Sequence, residues 1–159
     1  MPERPSFDYA VIRVVPRVER NEFLNAGVIV FCRLRDFLAA RVELDPARLL
    51  ALSPDADPDE VARHLDLFPR VCAGGPPAGA LGRLSLSERF NWLVQPSSTL
   101  IQASPVHSGL CDDPQEALDR LLDTAVRVPP SGRGPPRGDA GRGLRRSGAP
   151  PGRPRPGPW

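Results

Sequence analysis

The chain reads as an α+β protein: a small, mainly antiparallel sheet with helices packed on one face. Three observations predict this. β-Branched and aromatic residues concentrate before Leu44, and helix-start signals concentrate after Asp45. The early apolar runs are joined by short connections, which pair neighbouring strands antiparallel.

The elements follow in order. Phe7 to Val15 is apolar on both alternating faces, as in a central strand, and Pro16 ends it because proline cannot donate to a ladder. Ala26 to Cys32 is a second two-sided strand, and Leu34, Arg35 and Asp36 make a short turn. Phe37 to Leu44 places Leu38, Ala40, Val42 and Leu44 on one face, with Arg41 and Glu43 on a face expected to be exposed. Asp45 and Pro46 open a short helix through Leu50. Asp57, Pro58 and Glu60 open a second, striped by Val61, Leu65 and Phe68, which Pro69 ends or kinks. Gly74 to Gly79 is a loop. Ser85 and Glu88 open a third helix with Leu86, Phe90, Leu93 and Val94 facing inward, stopped by Pro96. Thr99 to Gln102 is a short strand beside the first two. Asp113 and Pro114 open the last helix, striped by Leu118, Leu121, Leu122 and Ala125.

Composition divides the chain. Residues 6–127 form one domain, and residues 128–159 form a Pro-, Gly- and Arg-rich tail. There is no Lys; residues 1–127 hold 14 Arg against 18 carboxylates, a net −4, whereas residues 128–159 hold 7 Arg against one Asp, a net +6. A segment so poor in large apolar side chains cannot offset its ordering entropy, so the tail is expected to be disordered. An acidic domain argues against a nucleic-acid surface there, and leaves the tail as the one place nucleic acid could bind. The three cysteines lack CxxC spacing and read as reduced thiols. No apolar run is long enough to cross a bilayer and no signal segment follows Met1, so the expected location is the cytoplasm. Cys32, Cys72, Cys111, His64 and His107 show no paired ligand spacing, and no phosphate-loop or dinucleotide motif occurs. No metal or cofactor is expected.

The densest chemistry lies in Ser104 to Pro114, which holds His107, Cys111, Asp112 and Asp113 in what reads as a loop at the rim of the sheet. His107, Cys111 and Asp112 are the residue types of a nucleophile, its base and an orienting acid. The same residues also make a turn and a helix cap, with Cys111 a small buried hydrophobe. Arg89 and Trp92, three apart on a helix, are expected to share a face away from Leu86, Phe90 and Leu93 and to form an interface anchor. Asn25 and Gly27 suit a bulge where another backbone approaches, with Asn25 within reach of the 104–113 segment. Asn25, Arg89, Trp92, Ser104 and His107 are therefore the candidate binding residues.

Four blocks, Tyr9 to Arg13, Glu22 to Cys32, Leu84 to Val94 and Ser104 to Pro114, resemble a bacterial family of unknown function, the one numbered 3037. The resemblance covers about residues 6–127 and leaves out the tail. It implies no established activity and carries over no catalytic residue. Genes of that family often lie beside one for a HipA-like serine/threonine kinase, which implies a partner or accessory role. The resulting expectation is a non-enzymatic protein that binds another protein. Two alternatives stand beside it: an enzyme using His107 with Cys111 or Asp112, and nucleic-acid binding through the basic tail.

Overall fold

Strands β1 (Ser6–Val14) and β2 (Leu24–Cys32) pair antiparallel at the centre of a five-stranded sheet. The computed structural model describes residues 4–97 and 99–128. These belong to one compact unit, Met1–Pro129, and the predicted tail beyond Val128 lies outside the described residues. β3 (Phe37–Val42) pairs with the far side of β2. The free side of β1 is shared by two short strands. β4 (Ile101–Ala103) pairs with Ile12–Val14, and β5 (His107–Leu110) with Ser6–Tyr9. All pairings are antiparallel, as an α+β architecture with short connections requires.

Caps set the helix starts. Asp45 accepts from the N–H groups of Ala47 and Arg48 and opens α1 (Pro46–Leu52). Asp57 does the same for Asp59 and Glu60 at the start of α2 (Pro58–Leu65). Pro69 lies in the first turn of α3 (Leu67–Ala73), where its missing N–H costs nothing, so the helix breaks upstream at Asp66. Ser85 and Glu88 form a reciprocal capping box on α4 (Leu86–Leu93). Asp113 caps α5 (Pro114–Leu121), which widens into a π-helical turn over Leu122–Val126.

The helices occupy both faces of the sheet, not one. α1 to α4 bury Leu49, Leu65, Val71 and Phe90 against Ile12, Val14, Ile29 and Leu38. α5 and its extension bury Leu118, Leu122 and Val126 against Phe7, Val28, Val30 and Cys32 on the opposite face. The reason lies in β1 and β2, whose side chains are apolar on both sides; one helical layer would leave the other face in water. The face of β3 expected to be exposed is covered in part by the same helix. Arg41 pairs with Asp119 at 2.8 Å, and Glu43 accepts from Arg127 at 2.9 Å.

A bulge switches the alternation of β2. Ile12 stands opposite Gly27 and Arg13 opposite Asn25, so Ala26 has no partner on β1. Leu24 and Ala26 thereby join Ile29 in the larger core. Gly27 is required by the close approach: a Cβ there would lie 2.7 Å from the carbonyl of Arg41 and 2.9 Å from Cδ1 of Ile12.

Candidate functional site

The middle of the 104–113 segment, His107–Leu110, is the edge strand β5 rather than a loop. His107 stands opposite Tyr9 with ring centroids 5.4 Å apart, and Ser108 Oγ donates to Asp8 Oδ1 at 2.6 Å. Ser104 is buried at the junction of β4 and β5. Its hydroxyl accepts from the Val11 N–H at 2.8 Å, and its own N–H donates to the Val11 carbonyl at 2.8 Å. It thus completes the ladder across the gap between two short strands. Cys111 lies buried beneath α5, where burial first, and the neighbouring Cys32 thiol second, push its pKa up. Asp112 faces outward and takes two bonds from the Arg4 guanidinium, at 2.9 and 2.8 Å, which hold its carboxyl below the usual range. Asp113 is the α5 cap.

His107, Cys111 and Asp112 therefore do not converge. Three residues of extended chain, Ser108, Gly109 and Leu110, lie between His107 and Cys111, which sets their backbones about 13 Å apart. A buried thiol with a raised pKa is the reverse of an activated nucleophile. Among the described residues, no three His, Cys, Asp or Glu side chains gather in a way that could hold a metal ion.

Arg89 and Trp92 do not share an exposed face either. Arg89 is 8% exposed. Its Nη1 donates to the carbonyls of Val71 and Cys72 at 2.9 and 2.7 Å, and its Nε to that of Leu84 at 3.1 Å. It caps the negative end of α3, where the last carbonyls have no helical partner. The charge that suggested an interface anchor is satisfied inside the protein. Asn25 also points elsewhere than expected: its Nδ2 donates to the Ala125 carbonyl at 3.1 Å and ties the π-helical turn to the bulge.

Trp92 alone of the predicted contact residues lines an open apolar groove. The indole is 42% exposed. With Leu67, Leu93, Pro96, Leu100 and Ile101 it encloses about 500 Å³ between the α2–α3 junction, the end of α4 and the outer edge of β4. The hydroxyls of Ser97 and Thr99 reach the outward carbonyl of Ile101, at 3.4 and 2.8 Å, and blunt that edge against strand addition. Nothing in the sequence marked Leu67, Pro96 and Ile101 as one site; they come from α3, the loop after α4 and β4. A second cavity of about 480 Å³, beside Asn25 and Glu43, is walled by groups already engaged with one another. There Glu43 pairs with Arg127, Asp45 caps α1 and Arg48 reaches the Val126 carbonyl.

Fold and groove together define a class: a five-stranded antiparallel α+β domain, helices on both faces, with an apolar groove beside an edge strand. The chain belongs to the family described as protein of unknown function DUF3037, whose model matches residues 9–126 of the 159-residue chain. No curated protein and no solved structure matches this chain. Among the described residues, no helix is long and apolar enough to cross a membrane.

Proposed function

We propose that the protein is a cytoplasmic, non-enzymatic partner protein, and that the Trp92 groove seats an apolar side chain of another protein. Trp92 carries this reading. A half-exposed indole on the wall of an apolar groove gains free energy on being covered, and tryptophan leads the residue types that dominate interfaces. The absence of convergence among His107, Cys111 and Asp112 supports binding over chemistry. The partner proposed is the HipA-like kinase implied by the family resemblance.

Calorimetric titration of the full-length protein with a HipA-like kinase from the same genome tests this. Saturable binding is expected, weakened roughly tenfold or more by Trp92→Ala. The variant should keep the parent's thermal midpoint, because Trp92 stands outside both cores. No heat of binding, or equal binding by Trp92→Ala, would overturn the proposal.

A further inference from the structure

The second face of the sheet is only half roofed. α5 covers Phe7, Val28, Val30 and Cys32, while the strip along β1 toward β4 and β5 leaves Tyr9, Val11 and Arg13 half-buried and His107 exposed. Along it the rings of Phe7, Tyr9 and His107 follow one another at 5.8 and 5.4 Å. At its far end the Arg13 guanidinium lies 4.2 Å from the centroid of Phe23, a ring 44% exposed.

Arg13 differs from the other arginines of this face. Arg41 has Asp119, and Arg127 has Glu43 and Asp123. Arg13 is in none of the ion pairs among the described residues. Its Nε is shut off from solvent without an acceptor, and the Oδ1 of Asn25, its cross-strand neighbour, is likewise buried and unpartnered. A half-buried cation without a counter-charge is costly, and a carboxylate that reaches the guanidinium from its exposed side removes part of that cost. The Phe23 ring beneath the guanidinium carbon restrains the side chain in advance.

We propose that this strip docks an acidic segment of a protein partner: one carboxylate against Arg13, with adjoining apolar side chains over Tyr9, Val11 and His107. Nucleic acid fits less well. The strip offers Arg13 to a single carboxylate, whereas a phosphate backbone needs a row of cations. The surface lies on the opposite face of the sheet from Leu93 of the Trp92 groove, so the two proposals stand or fall separately.

The test uses the full-length protein labelled with ¹⁵N, following the Arg13 Nε–H and the backbone amides of Tyr9 and His107. The probes are acetyl-Leu-Glu-Leu-amide, its Gln counterpart and a short oligothymidylate. The Glu peptide should shift these resonances saturably at millimolar concentration, with the Gln peptide roughly tenfold weaker. Arg13→Gln should abolish the difference between peptides. Phe23→Ala should reduce it, giving a second reading where Arg13→Gln fails to fold. Equal shifts by both peptides, a response to the oligonucleotide alone, or no response at all would overturn the proposal. None of those outcomes bears on Trp92.

Discussion

Two side chains three residues apart on one helix have opposite fates. Arg89 turns inward because α3 ends beside it, presenting carbonyls that only a long cation with several donors can satisfy together. Trp92 turns outward to the groove. Periodicity placed both off the apolar stripe, and nothing in the local sequence says that a neighbouring helix terminus needs a cap. The thiols obey the same logic. Burial raises Cys111 and pushes Cys72 up to about 12, with Arg89 drawing the latter back only in part. All three cysteines should resist alkylation by iodoacetamide in the native protein at mildly alkaline pH, and all should react once it is unfolded. The sign of the linkage follows. Below pH 9 the Cys72 thiol is neutral whether folded or unfolded, and above it the unfolded chain ionises first. Stability is therefore lost as pH rises from about 9 toward about 12. Mass spectrometry of native and unfolded samples checks this; Cys111 reacting ahead of Cys32 and Cys72 in the native protein would instead point to a nucleophile.

At the scale of elements, caps and breakers were the most legible features. Asp45, Asp57, Ser85 and Asp113 start the helices the sequence assigned to them, because an N-cap acts through N–H groups two and three residues away. The bulge was legible for a similar reason: Asn25 and Gly27 announce a local departure from the ladder. Gly27→Ala is expected to cost about 2 kcal/mol, because the added methyl meets backbone rather than a flexible tip. Urea unfolding measures it, and a loss below about 0.5 kcal/mol would mean the β3 backbone yields. β5 was not legible. His107, Ser108, Gly109 and Leu110 lack alternation and β-branched residues, so their strand exists only because β1 has a free edge beyond β4. With β5 the alternative of a catalytic loop loses its geometry, since an extended chain separates the side chains a tight turn would gather.

At the scale of the whole molecule, one sheet serves two cores. β1 and β2 contribute to both, so neither helical layer can leave without exposing apolar sheet. Leu118→Ala on α5 is expected to cost about 3 kcal/mol, as for other fully buried leucines, and unfolding should remain a single transition by circular dichroism and fluorescence. Two separated transitions would show that the α5 layer melts alone. From the sequence by itself came the α+β class, the starts of α1, α2, α4 and α5 and the central pair of strands, since each rests on propensities and spacings within a few residues; the family came from the resemblance of four separated blocks. Only the tertiary structure decided the rest. It placed α5 alone on the second face, sealed Arg89 and Cys111 inside, and assembled the groove from Leu67, Trp92, Pro96 and Ile101. It also left Arg13 without a carboxylate among the described residues. These outcomes depend on which distant segments meet, and burial and charge pairing are properties of that meeting rather than of any one stretch of chain.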